Sequence, residues 1–246
     1  MLAKSQIGYI RSLHQKKFRQ RYGKFLVEGV KNVQELLNSH FNIDTIYYTS
    51  AYRVSLPVNI RAVEISEEEL KKISTQTTPD KVLAIAHIPL QDLRLPPPDK
   101  YSLLLDGIND PGNLGTIIRI CDWFGWRQLY LSPHCADVYN PKTVAAAKGS
   151  LFRVEVHHVS LPELIRKCNM PVYGAVMRGN NIYHEPFAKG GLVVIGSESH
   201  GISEEVATLL THKITIPGSG TADSLNAAVA AGILVSEITR RLTHKD

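Results

Sequence analysis

The chain has few cysteines and no long apolar run, and each shortage excludes a class of protein. Its three cysteines, Cys121, Cys135 and Cys168, are widely spaced and odd in number. They suit neither a disulfide framework nor a zinc site, so a reducing cytoplasm is the expected compartment. No apolar run approaches a membrane span, and the N-terminus carries charge where a signal peptide needs an apolar core. No membrane and no metal are expected. The ten histidines form no metal-binding spacing, and adjacent His157 and His158 on a strand would face opposite ways. No Gly-x-Gly-x-x-Gly follows the first C-terminal strand, which argues against a dinucleotide-binding oxidoreductase. Ser199 has no glycine two residues before it, so a nucleophile elbow and a serine hydrolase are disfavoured too.

Acidic residues are missing from the start of the chain. Seven basic residues (Lys4, Arg11, Lys16, Lys17, Arg19, Arg21, Lys24) precede the first acid, Glu28. Residues 1–95 carry 14 Lys and Arg against 9 Asp and Glu, whereas residues 96–246 carry 14 against 14. The net charge of +5 therefore sits in the N-terminal part. Such a block favours a polyanion, because each neutralised phosphate releases counterions. Lys16, Lys17, Arg19 and Arg21 are the candidate nucleic-acid contacts. A structural helix packed on its own domain is the competing reading of residues 4–20.

What is present is a steady alternation of strands and helices. In the N-terminal part, strands are expected at residues 24–29, 43–48, 60–65 and 82–88. Helices are expected at 4–20, from 30 onward, and through residue 73 behind a Ser66/Glu69 capping box. The proline-rich stretch around Pro96, Pro97 and Pro98 reads as an extended spacer, which sets the domain boundary between 95 and 96. Beyond it, strands near 101–106, 127–131, 153–157, 171–176, 191–196 and 212–216 alternate with helices near 113–125, 141–148, 160–168, 203–210 and 224–242. This spacing predicts an α/β fold with a mainly parallel sheet.

One stretch, residues 214–231 (ITIPGSGTADSLNAAVAA), combines a buried strand, a glycine loop and an alanine-rich helix. Gly218 and Gly220 allow positive φ and a close ligand, and Asp223 or Ser224 can cap the helix. A strand, a glycine loop and a polar helix start together suggest a cofactor pocket. An ordinary strand-to-helix turn is the plain alternative. A second stretch, residues 193–203 (VVIGSESHGIS), ends a buried strand at Gly196 and brings Glu198 to the edge where open α/β sheets bind ligands. A third, residues 103–126 (LLLDGINDPGNLGTIIRICDWFGW), holds Asn113 and Arg119 at a helix start. Asn113 can cap that helix. From position alone, Arg119 is expected to pair with Asp122 or Asp106. Trp123 and Trp126 suggest core or subunit packing.

These three stretches in series resemble the SpoU (TrmH-like) branch of the SPOUT superfamily, RNA ribose 2′-O-methyltransferases that use S-adenosylmethionine. The resemblance covers roughly residues 100 to 242. It implies a trefoil-knotted C-terminal domain (96–246) with the last strand and helix threaded through an earlier loop. The segment FLVEGVKNVQELL, more weakly, resembles the ribosomal-protein-like α/β substrate-binding domain common among such enzymes, here residues 1–95. The resemblance of the three C-terminal stretches implies Asn113, Arg119, Glu198, Ser224 and Asn226 as catalytic residues. Gly196, Ile216, Gly218, Gly220 and Leu225 would bind the cofactor, with Ile216 and Leu225 around the adenine. It also implies a homodimer acting on ribosomal RNA in preference to transfer RNA. A guanidinium seldom gives up its proton, so Arg119 reads as a stabiliser of the incipient 2′-alkoxide before it reads as a base. Two positions depart from the family pattern: Gly218 replaces a frequent methionine, and Ala227-Ala228 a Val-Ser pair. A non-catalytic RNA-binding protein that kept the fold is the alternative.

Overall fold

The computed structural model describes residues 1–53, 55, 57–90, 92–221 and 223–243. In chain order the first elements are α1 (Lys4–Ser12), α2 (Lys16–Tyr22), β1 (Lys24–Glu28), α3 (Val30–Leu37), β2 (Ile43–Tyr48), β3 (Ala62–Glu64), α4 (Glu67–Ile73) and β4 (Val82–His87). Then come β5 (Tyr101–Asp106), α5 (Pro111–Trp123), β6 (Gln128–Leu131), α6 (Pro141–Ala147), β7 (Glu155–His158) and α7 (Leu161–Lys167). The last are β8 (Val172–Asn181), β9 (Gly191–Gly196), α8 (Glu204–Ala207), β10 (His212–Thr215) and α9 (Ala227–Thr243).

The chain forms two compact units. One contains Met1–Leu90 with Asp137–Arg153, and the other Gln91–Ala136 with Val154–Asp246. The segment 137–153 thus clusters with the N-terminal residues, although a single boundary at residue 95 assigned it to the C-terminal part. Its side chains explain why. Tyr139 lies 4.7 Å from Phe25 and Phe152 lies 5.2 Å from Phe41, ring centre to ring centre. Arg19 pairs with Asp137 at 2.5 Å, and Arg153 with Glu35 at 2.5 Å. A short helix in a regular alternation carries no sign of which sheet it will join.

In the N-terminal unit the sheet order is β1-β4-β2-β3. β4 runs antiparallel to both β1 and β2, whereas β2 and β3 are parallel. The basic stretch expected as one helix is two, because Leu13 and the residues after it turn the chain between α1 and α2. One face of α1 is core: Ile10, with the flanking Leu2 and Leu13, packs with Ile73, Leu83 and Ile85. Glu69 completes the expected capping box with Ser66 and also accepts a 2.5 Å hydrogen bond from the Leu2 backbone N–H.

In the second unit six strands lie in the order β10-β8-β9-β5-β6-β7, and every pairing is parallel. The central strands are apolar on both faces, with Leu103, Leu104, Leu192, Val193 and Val194 fully buried. That is the composition a parallel sheet needs when both faces are covered. Because all strands run one way, the segments after β5, β9 and β10 emerge at the same edge. His157 is buried and His158 exposed, as the alternation of a strand requires. Among the described residues no helix is long and apolar enough to cross a membrane, and no three His, Cys, Asp or Glu side chains cluster to hold a metal ion.

Candidate active site

The site is built from that edge. Pro111 at the start of α5 has no N–H to lose, and Asp110 caps the helix by accepting from the Asn113 backbone N–H at 2.7 Å. Asn113 is therefore not the cap expected from the sequence. It lies in the first turn, with its side chain free to reach across to β9. After β9 the chain makes a tight loop in which Ser197 and Gly201 exchange backbone hydrogen bonds (3.1 and 2.9 Å). Gly201 takes φ +68°, a conformation that favours glycine. A Cβ on Gly196 would overlap the backbone of Gly201, so this glycine is required by the loop's own packing. The loop projects Glu198.

Three segments meet at one atom. Glu198 Oε1 accepts hydrogen bonds from Asn113 Nδ2 (3.0 Å), Asn226 Nδ2 (2.8 Å) and the Ala227 backbone N–H (3.0 Å). Asn226 Nδ2 also donates to Asn113 Oδ1 at 3.0 Å. With its own Oδ1, Asn226 accepts from the N–H groups of Ala228 (3.0 Å) and Val229 (3.3 Å). Asn226 is thus the cap of α9, the role expected of Asp223 or Ser224. Helix α9 starts at Ala227, two to three residues later than the alanine pattern suggested.

The other expected site residues stand apart from this network. Arg119, six residues beyond Asn113 on α5, is exposed and forms no ion pair or hydrogen bond among the described residues. The expected pairing with Asp122 or Asp106 does not form: Asp106 accepts from the Ser203 N–H at 2.8 Å, and Asp122 faces Arg127 at 3.9 Å. Arg119 shares an exposed stripe with Thr116 and with Trp123, which is 83% exposed. Trp126 is buried and donates from Nε1 to Thr239 Oγ1 at 3.1 Å. Ser224 is exposed and makes no hydrogen bond among the described residues. Gly218 and Gly220 do not take the positive φ that glycine allows, and a Cβ on either would meet open space. Ile216 is half-buried, and Leu225 is 47% exposed despite being apolar.

Several contributors escaped sequence reasoning. Asp110 carries the cap, Asp106 holds the start of the α8 segment, and the backbone N–H of Ala227 completes the Glu198 cluster. The Asp-Pro pair before α5 was the one readable signal for the first. Behind the site, burial pushes the Cys121 thiol up to about 12, so it offers no thiolate nucleophile.

Of the four candidate RNA contacts in the N-terminal unit, Lys16, Lys17 and Arg21 are exposed and Arg19 is not. Arg19 is 2% exposed, and its guanidinium donates to Asp137 Oδ2 (2.5 and 3.1 Å) and to the carbonyls of Leu13 and His14 (both 2.8 Å). It is occupied inside the unit and is removed from the candidate contacts.

A parallel sheet with helix starts and a glycine loop converging at its C-terminal edge defines a ligand-binding α/β protein. Comparison with known proteins narrows the class. Residues 100–236 match the SpoU rRNA Methylase family profile, and residues 4–84 match an MRM3-like substrate binding domain. The chain belongs to the SpoU rRNA methylase family. It is 32% identical over 231 residues to the 23S rRNA (guanosine(2553)-2'-O)-methyltransferase RlmP of Bacillus subtilis, covering 92% of each chain. It superposes on a TrmH-family protein from Porphyromonas gingivalis with a TM-score of 0.88 at 41% identity, covering 98% of this chain and 99% of that one. The SpoU methyltransferase AviRb of Streptomyces viridochromogenes, crystallised with AdoMet, matches with a TM-score of 0.88 at 28% identity, over 99% and 100% of the two chains.

Proposed function

We infer that this chain is an S-adenosylmethionine-dependent enzyme that methylates ribose 2′-hydroxyls of RNA, with ribosomal RNA its substrate in preference to transfer RNA. The observation that carries the reading is the meeting of α5, the β9 loop and α9 at Glu198 Oε1. This cluster, together with catalytic relatives, speaks against a protein that only binds RNA. The preference for ribosomal RNA is supported by relatives that include a second 23S rRNA 2'-O-methyltransferase, from Streptomyces viridochromogenes, at 30% identity.

The residues present fit the cofactor. An exposed apolar side chain, Leu225, stands beside a loop with open space over Gly218 and Gly220, and half-buried Ile216 precedes it. Ile216 and Leu225 would hold the adenine, with Gly196, Gly218 and Gly220 as backbone walls. S-adenosylmethionine, when bound, supplies an electrophilic methyl group. The chain's own residues supply positioning. Glu198 fixes the two helix starts, Asn113 and Asn226 hold the frame, and Ser224 meets substrate. Unpaired Arg119 stabilises the developing 2′-oxyanion with a fork of donors.

The enzyme acts as a homodimer in the cytoplasm, and its C-terminal unit is knotted. The dimer is supported by Trp123 on α5 and Val229 on α9, 83% and 51% exposed, on helices that touch through Gly232 and Ile120. Light scattering should report a dimer, and Trp123→Arg should yield monomer. The knot rests on the family match, and a crystallographic trace with α9 unthreaded would remove it. The cytoplasm is supported by three free thiols. The N-terminal unit captures the RNA.

The deciding experiment is single-turnover transfer. Arg119→Ala should abolish methylation while calorimetric cofactor affinity stays unchanged, and Arg119→Lys should fail as well. Full activity in Arg119→Ala would remove it from the site. Mapping 2′-O-methylation across total RNA with and without the gene would name the nucleotide.

A further inference from the structure

The exposed face of α1 and α2 carries aromatic rings as well as cations. Phe18 and Tyr22, four residues apart on α2, lie nearly parallel, 12° between planes and 6.1 Å between centres. Tyr9 of α1 meets Tyr22 edge-on at 5.2 Å. Tyr22 is 39% exposed and Phe18 partly so, whereas Tyr9 is half-buried and packs against the unit's apolar core. Cations lie over both α2 rings: Lys17 Nζ is 4.9 Å from the Phe18 centre, and the Arg21 guanidinium carbon is 5.8 Å from that of Tyr22. Among the described residues, Lys4, Arg11, Lys16, Lys17 and Arg21 form no ion pair, and no acid precedes Glu28. A helix face built only for solubility would mix both signs and would not leave rings half in water.

We propose that Phe18 and Tyr22, with Tyr9 bracing Tyr22 edge-on, form a stacking platform for an unpaired nucleobase of the RNA, with Lys17 and Arg21 on the flanking phosphates. An exposed ring accepts any base by its face, and neighbouring cations both strengthen the stack and neutralise the backbone. Rings need a base that is out of a helix, so the platform selects a single-stranded segment or loop over a duplex. Tyr9 and Ile10 of α1 pack on the unit's core, which fixes the platform on a rigid support. The inference rests on the reading of the chain as an RNA methyltransferase, and it adds which structure of RNA is gripped and by which side chains.

The test uses the full chain, without cofactor, and two RNA probes of equal length: a single strand carrying 2-aminopurine and a duplex. Tyr22→Ala should weaken single-strand binding by about 10-fold or more and abolish the quenching of 2-aminopurine, with less effect on the duplex. Tyr22→Phe keeps the ring and should behave like the parent. Lys17→Ala with Arg21→Ala should instead flatten the salt dependence, by about 0.7 in log–log slope per lost contact. Unchanged affinity and quenching in a folded Tyr22→Ala would overturn the platform. Equal losses on both probes, or a changed assembly state, would overturn it too, the last by making these rings a protein contact. Should Tyr22→Ala fail to fold, photo-crosslinking of the unaltered chain to 4-thiouridine RNA decides. Crosslinks within residues 16–22 are expected, and crosslinks only elsewhere would overturn the proposal. None of these readouts uses methyl transfer, so a chain that grips RNA but transfers nothing would sink the functional reading and leave the platform standing.

Discussion

The two units each place a glutamate at the end of a strand, and they use it differently. Glu28 ends β1 and is 7% exposed. Both of its oxygens are taken: Thr75 donates from N–H and hydroxyl, and Ser74 from its hydroxyl. Glu198 follows β9, is exposed, and spends only Oε1 on the chain, in three hydrogen bonds. Its Oε2 has no hydrogen bond among the described residues. A carboxylate with both oxygens satisfied inside the protein can only hold structure. One with a single oxygen committed can hold two helix starts in register and still face a ligand.

Removing each carboxylate should separate these roles. Glu198→Ala frees Asn113, Asn226 and the Ala227 N–H at once, so the segments of the proposed site lose their common reference. Transfer should fall by about 100-fold or more, the cost of misplacing groups by an ångström. Thermal stability should change little, because the cluster lies at the surface. Glu198→Gln keeps an acceptor at Oε1 and should fall between the two. Parental kcat/KM in Glu198→Ala would end the comparison at once.

Glu28→Ala should show the reverse pattern. Three donors in residues 74 and 75 lose their acceptor under partial burial, a loss of about 1–3 kcal/mol. Urea titration should reveal it as a lower midpoint. Calorimetric affinity for S-adenosylmethionine should stay at the parental value, since every residue of the proposed pocket belongs to the other unit. Lost cofactor affinity with unchanged stability would mean that the glutamates do not divide as described.

The sequence was most informative where local patterns decide structure. β2, β5 and β9 begin and end where their apolar runs do, and Ser66 with Glu69 caps α4 as the spacing required. Local pattern failed where distant partners decide. Nothing near Arg19 announces that Asp137 will neutralise it, so a buried structural arginine read as an RNA contact. Residues 137–153 read as one more helix of the C-terminal alternation because Phe25 and Phe41, their packing partners, lie about a hundred residues away. The caps were misread for the same reason. Asn226 is chosen over Ser224 because its amide also reaches Asn113 and Glu198. The motifs drew attention to Asn113, Glu198 and Asn226, which meet in one hydrogen-bonded cluster, but the division between that cluster and a free Arg119 was not legible.

A third carboxylate sharpens the comparison with the smallest effect. Glu237 on α9 is 8% exposed and, unlike Glu28, is held by charged donors. Arg240 bonds both of its oxygens (2.9 Å each), and Arg241 bonds Oε1 at 2.7 Å while also reaching the Tyr183 carbonyl. The Arg240 hydrogen bond, aided by Arg241 and opposed by burial, holds the Glu237 carboxyl at about 2, below its ordinary 4.5. A depressed carboxyl stabilises the fold fully above its unfolded value and loses that contribution as pH falls through the folded one. Glu237→Gln should therefore lower Tm by a few degrees at most at pH 7, since the Arg240 guanidinium is largely in water. The gap to the parent should narrow from about pH 4.5 downward and close near pH 2. Scanning calorimetry at pH 7, 4 and 2 reads it directly. A gap that persists undiminished at pH 2 would mean that hydrogen-bond geometry, and not charge, fixes the end of α9, which would place Glu237 with Glu28.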